Sequence, residues 1–257
     1  MPEFCIAIST MNDRINKVNI PPFKKNISYI IIHQTKNNNY TLPEILQHGR
    51  KDITYIKTNQ LGLSKSRNLA IINCRKKYLF IMDDDVTFNL DQMMILIKNM
   101  EKDKTDIGTF YHSYTNGKST LKKEKCIKLN FINIAKVSSI DICINIEKIK
   151  EKNIYFNENF GLGTNLPSGE EMIFLSDGLK NKLSIVRYPQ IIATHPPITS
   201  GLDFYSSINK IEAKKLMIEN VYGKFSLIFK ILFIIKKLKK AKQAGYGIQF
   251  LKNILIK

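Results

Sequence analysis

The sequence predicts an α/β fold, a mostly parallel sheet flanked by helices and followed by a helical tail. Three observations carry this. Four apolar runs near the N-terminus (residues 4–9, 27–33, 53–58 and 77–82) have strand length and β-branched or aromatic composition. Segments of helical character lie among them, the pattern of crossover connections and parallel pairing. From about Gly201 the composition turns helical and amphipathic, ending in KFSLIFKILFIIKKLKKAKQ.

Each element has a local signature. Between the third and fourth runs, GLSKSRNLAIINCRKK predicts a helix with Ser64 as N-cap and Leu69 and Ile72 on one face. A second helix follows the fourth run, with Asn89 as N-cap, Gln92 three residues later and MMILIKNM as its body. Residues 103–128 are rich in Lys and Thr, with SYTNGKS as a turn signal, and read as an irregular excursion or hairpin. Strand-like composition resumes in NFINIAKVSSIDICINIEKI. A glycine-bearing loop then leads to a helix starting near Glu170, and IIATHPPITSG places His195 at the end of another apolar strand. No internal repeat is visible.

A chain of 257 residues that is 44% hydrophobic buries a substantial core, so one globular domain with an appendage is expected. Nine lysines and no acid follow Glu219, so half of the net charge of +18 belongs to the tail. The remaining excess accompanies a bias to Lys, Ile and Asn along the whole chain, and nucleic acid is not an expected partner. Cys5, Cys74, Cys126 and Cys143 form no C-x-x-C pair, neither a zinc framework nor a small disulfide scaffold. The start, MPEFCIAIST, lacks the basic and long apolar regions of a secretion signal, so a cytoplasmic location is expected. The tail's uncharged apolar stretches fall short of the ~20 residues that span a bilayer.

The chemistry concentrates in KKYLFIMDDDVTFNL. Asp83, Asp84 and Asp85 follow the most apolar run, and adjacent carboxylates raise one another's proton affinity unless a cation compensates. In extended backbone Asp83 and Asp85 face one way and Asp84 the other. One or two carboxylates plus substrate phosphates is an arrangement for Mg²⁺, and Mn²⁺ takes similar ligands. Such a cation neutralises a leaving diphosphate. The plainer alternative is a solvated acidic turn. Beyond the C-terminal ends of a parallel sheet, ligand binding is the rule.

GLSKSRNLAI followed by YLFIMDDDV resembles the nucleotide-binding half of GT-A-fold glycosyltransferases, above all glycosyltransferase family 2. The resemblance implies Asp85 as the main metal ligand, with Asp83 and Asp84 sharing ribose and metal-water contacts and Asp83 also near the metal. It implies Arg67 near the base or phosphates. ISTMNDR resembles the family's opening segment, making Thr10 and Asn12 candidates for the nucleotide edge. One departure is clear: where the family carries an acidic turn after its second strand, this chain has IIIHQTKNN, with Gln34 and Thr35 in that place. Base identity is therefore open, with UDP as the default.

FNENFGLGTNLPSGEE resembles the family's downstream signature. It implies Glu171 as the preferred general base of an inverting transfer and Glu170 as its acceptor-positioning partner, the choice between them staying open. A helix N-terminus favours the ionised carboxylate. By the same resemblance His195 is a candidate third metal ligand, while Gly161 and Gly163 either admit an acceptor sugar or make turns.

The resemblance spans roughly residues 4–200. It implies a catalytic domain over 1–200, with a nucleotide-sugar half (1–100), an acceptor and base half (101–200), and a basic amphipathic tail over 201–257. The implied enzyme is an inverting glycosyltransferase with Mn²⁺ or Mg²⁺. It would move a sugar from a nucleotide-sugar to a glycan or lipid-linked hydroxyl, in bacterial capsule, lipooligosaccharide or other surface-polysaccharide synthesis. The tail fits an interfacial helix on the cytoplasmic face of the inner membrane, or a helix packed on the domain or on a second copy in a homodimer. A sugar nucleotidyltransferase would show a glycine-rich loop after the first strand, and STMNDRINK has no glycine. A non-catalytic basic protein binding nucleic acid or acidic lipid is the alternative from another class.

Overall fold

The computed structural model describes residues 2–36, 50–122, 124–197 and 203–255. Four parallel strands, β1 (Phe4–Met11), β2 (Ile27–Gln34), β3 (Ile53–Thr58) and β4 (Tyr78–Asp83), match the four expected runs to within two residues. They lie side by side in the order β3-β2-β1-β4. Two short strands, β5 (Thr87–Phe88) and β7 (Ile127–Lys128), are set against the last strand. Between them in the chain comes β6 (Ile107–Tyr114), and after them β8 (Ile142–Asn145) and β9 (Ile185–His195). The sheet continues from β4 through β8, β6 and β9. Because β8 is antiparallel to both β4 and β6, and β6 is parallel to β9, all six long strands point the same way. Their carboxyl ends meet at one edge.

Strand β6 lies where an irregular excursion was expected. Its first six residues are buried despite including Gly108, Thr109 and His112. Gly108 is required because a Cβ there would collide with Met100. The polar residues of β6 hide the strand from a reading by apolar runs.

Side chains alternate across the sheet as the pleat demands. Phe4, Ile6 and Ile8 join Tyr78, Phe80 and Met82 on one face, beneath Met93, Leu96 and Ile97 of α2 (Leu90–Lys102). Asn89 caps α2 as expected, accepting from the backbone N–H of Asp91 and Gln92. Cys5, Ala7, Leu79 and Ile81 occupy the other face, beneath α1 (Leu63–Asn73) and α4 (Glu170–Lys180). A short α3 (Ile146–Glu151) follows β8.

Helix α1 departs from expectation in its cap and its face. Gly62 precedes the helix, while the Ser64 hydroxyl is buried and donates to the Phe160 carbonyl at 2.6 Å. Ile72 is exposed, and the buried side is largely polar: Ser64, Ser66, Arg67 and Asn68 with Ala70 and Ile71. That face is turned to the functional edge of the sheet.

Three helices close the chain: α5 (Ile208–Tyr222), α6 (Ser226–Gln243) and α7 (Gly247–Leu255). Met217, Ile218 and Val221 of α5 belong to the same core as α4, and Lys180 donates to the Asn220 carbonyl at 2.8 Å. The expected cut at residue 200 lies outside the described residues; beyond it, α5 supplies part of the cover over α4. Helices α6 and α7 close a smaller cluster around Phe204, Ile211 and Phe250. Among the described residues no helix is long and apolar enough to cross a membrane.

Candidate active site

A cleft of about 570 Å³ opens at the carboxyl edge of the sheet. Thr10 and Gln34 reach it from the ends of β1 and β2, Asp83 to Asp85 from β4, and His195 from β9. Arg67 enters from α1, and Glu170 and Glu171 from the first turn of α4. Two acidic groups far apart in sequence thus share one cavity.

The three aspartates alternate in exposure, although β4 ends at Asp83 and Asp84 and Asp85 lie in the turn that follows. The Asp84 side chain is 3% exposed, against 27% for Asp83 and 31% for Asp85. Asp84 does not offer its carboxylate to a ligand directly. Both of its oxygens accept from the Nε of Arg14, at 2.9 and 3.0 Å, and one also pairs with Nη2. The same Nη2 donates to Asp85 Oδ2 at 2.9 Å. Arg14 rides on a 3₁₀ turn, Asn12–Lys17, whose Ile15 is fully buried. The Asn12 carbonyl accepts from His33 Nε2 at 3.0 Å, which makes His33 Nδ1 the acceptor for the Tyr55 hydroxyl at 2.7 Å. Asn12 itself is exposed, in the left-handed region at φ 51°, and does not line the cleft.

Arg67 is 1% exposed and joins the two acidic groups. Its Nη1 donates to Glu170 Oε1 at 2.9 Å, and its Nη2 donates to Ser139 Oγ at 2.8 Å and lies 3.5 Å from Asp83 Oδ1. The guanidinium, expected near the base or phosphates, lines the cleft and holds carboxylates in place. Burial raises the Asp83 proton affinity, Arg67 lowers it, and Asp85 and Asp84 raise it further.

Glu170 and Glu171 are not equivalent. Glu170 is 6% exposed and fixed by Arg67, while its Oε2 has no hydrogen-bond partner among the described residues. Glu171 is only partly buried by its neighbours and faces the cleft. Loss of solvation, reinforced by the Glu170 charge, pushes its carboxyl up to about 7, against the opposing pull of Lys214 and its own backbone N–H. The helix terminus does not by itself keep this acid strong; desolvation prevails.

At the far wall His195 Nε2 lies 3.6 Å from Asp85 Oδ1. His195 Nδ1 is 2.5 Å from the Pro196 carbonyl, which only accepts, so Nδ1 carries a proton. In the neutral ring Nε2 then turns a lone pair toward the Asp85 carboxylate, the tautomer used by metal-ligating histidines. Two acceptors facing each other suit a cation between them. Among the described residues no three His, Cys, Asp or Glu side chains converge on a metal position. Of the expected set, Asp83 Oδ1 lies 3.5 Å from Arg67 Nη2, while Asp85 and His195 face each other. That pair fits a hard cation whose other ligands are phosphates and water.

Three further side chains, Arg14, Lys214 and His112, reach this region without having been singled out by sequence, and Gln34 joins them. Arg14 stood inside ISTMNDR, with its partners some 70 residues away. Lys214 comes from α5, outside every motif. His112 lines the cleft, its Nδ1 2.8 Å from Asp141, which also pairs with Arg187 at 3.4 Å. Gln34 sat at the noted departure from the family, but its role needed coordinates. Its Nε2 donates to the carbonyls of Gln60 at 2.6 Å and Gly62 at 2.9 Å. Two carbonyl partners fix the amide orientation, leaving Oε1 as the acceptor end. Thr10 is 3% exposed and its Oγ1 has no partner among the described residues. Gly161, at φ 104°, packs against Ser64 and Glu170, so it serves a tight loop over α1 and α4.

The sequence profile described as Glycosyl transferase family 2 matches residues 17–168, more than half of the chain. The chain belongs to glycosyl transferase family 2. The matched stretch contains Arg67 and the three aspartates and ends just before Glu170. Comparison with curated protein sequences gives no match. Among solved structures, this family 2 glycosyltransferase resembles S. aureus TarS residues 1–349, with a TM-score of 0.65 at 16% identity over 95% of this chain and 74% of that one. The complex of TarS 1–349 with UDP-GlcNAc aligns with a TM-score of 0.65 at 15% identity, over 98% of this chain and 81% of that one. A longer TarS structure gives 0.61 at 16% identity over 90% of this chain, which spans 42% of that protein. At such identities the likeness is one of fold.

Proposed function

We propose that this family 2 glycosyltransferase moves a sugar from a UDP-sugar, with inversion, to a hydroxyl of a glycan or lipid-linked acceptor, in surface-polysaccharide synthesis. The observation that carries the reading is the bridge through Arg67. It ties Asp83, the first of the three aspartates, to Glu170, whose neighbour Glu171 is poised near neutrality in the same cleft. The likeness to TarS, whose structures include complexes with UDP and UDP-GlcNAc, supports the donor class.

Glu171 takes the acceptor hydroxyl proton as that oxygen attacks, and Glu170, locked by Arg67, positions the acceptor. Asp85 and His195 would hold a divalent cation, Mn²⁺ or Mg²⁺, which neutralises charge developing on the leaving diphosphate. Asp84 acts through Arg14. Gln34 Oε1 accepts from the ring N–H of uracil, a donor that the cytosine ring lacks at that position. Thr10 Oγ1 offers a hydroxyl to the same nucleotide.

The membrane is the proposed partner of the tail, and the cytoplasmic face its location. Leu227, Ile228, Ile231, Leu232 and Ile235 of α6 are between 46% and 71% exposed, beside exposed Lys236 and Lys239. An apolar row next to lysines suits an anionic lipid surface.

The test is calorimetric binding of UDP, GDP and CDP with Mn²⁺, Mg²⁺ or EDTA, on the wild type and Asp85→Ala. UDP binding that needs metal and is lost in the variant supports the proposal. Binding of none of them, or equal binding with EDTA, would sink it.

A further inference from the structure

We propose that Arg14 is a latch on the acidic cluster. Without donor it occupies Asp85. On donor binding it yields Asp85 to the divalent cation and turns its outer edge to the diphosphate. This rests on the cleft being a metal-dependent nucleotide-sugar site.

The two edges of the guanidinium are held very differently. The Nε side is tied to both oxygens of Asp84, whose side chain is 3% exposed, at 2.9 and 3.0 Å. That grip is buried and anchored by β4. The contact to Asp85 is a single hydrogen bond from Nη2, which also pairs with Asp84, at 2.9 Å, on a carboxylate that is 31% exposed and also faces His195. The Arg14 side chain is 47% exposed. Releasing Asp85 therefore costs one outer hydrogen bond and leaves the Asp84 tether intact.

The turn beneath Arg14 is fixed as well. Ile15 is buried in the core, and the Asn12 carbonyl is held by His33 at 3.0 Å. A guanidinium presented this way stays at the cleft rim whether or not Asp85 is its partner. Its planar fork suits two phosphate oxygens as well as two carboxylates.

Arg14 and a cation both compete for Asp85, so metal alone binds against the latch. A diphosphate offers Arg14 a replacement acceptor and offers the cation further ligands. Metal and donor therefore bind with positive coupling, which is reciprocal. The arrangement discourages the cluster from filling with cation before a donor is present.

The test is Mn²⁺ titration followed by electron paramagnetic resonance on the full chain, with and without UDP, for wild type, Arg14→Gln and Arg14→Lys. Without UDP, Arg14→Gln should bind Mn²⁺ about tenfold more tightly, the factor that one charge-assisted hydrogen bond is worth. UDP should tighten Mn²⁺ binding strongly in the wild type and weakly in Arg14→Gln. Arg14→Lys keeps the charge without the fork and should fall between, which separates the latch from simple repulsion. Arg14→Gln affinity equal to or weaker than wild type, or Arg14→Lys indistinguishable from wild type, would overturn the latch while leaving the transferase reading in place. Absence of Mn²⁺ binding in every protein, with or without UDP, would overturn both.

Discussion

Transfer by this enzyme should slow on acidification around neutrality, and Glu171 is the group responsible. With its carboxyl pushed up to about 7 by loss of solvation and the Glu170 charge, about one tenth of the base is ionised at pH 6 and nine tenths at pH 8. The value of kcat/KM should therefore rise about tenfold over that interval and level off above it. Glu171→Gln should lower kcat by about 10²–10⁴ and remove this ionisation from the profile. The charged groups bearing on Glu171 are Glu170, Lys214 and Arg67, so Lys214→Met should move the midpoint upward and Glu170→Gln downward. The assay is release of free UDP at saturating metal across the pH range. Stability gives an independent readout with its own sign. The folded pKa lies above the unfolded value of 4.5, so the folded state holds the extra proton and this group's contribution falls as pH rises from about 4.5 to 7. Glu171→Gln should remove that decline. A midpoint that stays in place in both neighbouring variants, or a profile unchanged in Glu171→Gln, would refute the assignment.

Other expectations concern the bridge, the base and the surface. Arg67→Met should destabilise the fold by about 3–5 kcal/mol in urea unfolding, because Glu170 would be left buried without its cation; a loss within the range of a surface substitution would show that the bridge is not structural. Gln34→Leu should weaken UDP binding by roughly tenfold in calorimetry and CDP binding less, since uracil offers the amide oxygen a ring N–H that cytosine lacks. Equal losses for the two would place the base elsewhere. The double substitution Ile231→Asp with Ile235→Asp should abolish sedimentation with phosphatidylglycerol vesicles while UDP turnover persists. Loss of a dimer, with vesicle binding unaltered, would assign the α6 face to a second copy instead.

The strands that carry the aspartates were legible because their burial is continuous and their residues β-branched, so a short apolar run sufficed. Asn89 was legible for a similar reason, as a cap acts on its immediate neighbours. Strand β6 was not, because Thr109 and His112 are buried polar residues, His112 paired with the distant Asp141 and the Thr109 hydroxyl without a partner among the described residues, and a run-based reading sees only their polarity. The polar face of α1 defeated the helical-face reading in the same way: Ser66 meets the Ser9 hydroxyl at 2.7 Å, and Asn68 meets the Phe156 backbone at 2.9 Å. Within the site, motif resemblance could name Arg67 but not its partners, since the choice between ligand and carboxylate depends on where α4 comes to rest. Lys214 had no signal at all. Its importance is set by α5 folding back over α4, a tertiary event that leaves no local pattern.

The Arg67 bridge also bears on how the molecule is made. Its ends are 103 residues apart, the Arg14 grip on Asp84 spans 70, and the Ser64 contact to Phe160 spans 96. Contacts of such separation form only after the intervening chain has closed, so topology of this kind slows folding. Until α4 docks, the buried cation and its carboxylates remain hydrated, and their mutual orientation is undefined. The site is thus a late property of the nascent chain: a ribosome-bound product that has completed β1 to β4 holds the three aspartates without Glu170, Glu171 or the bridge that aligns them.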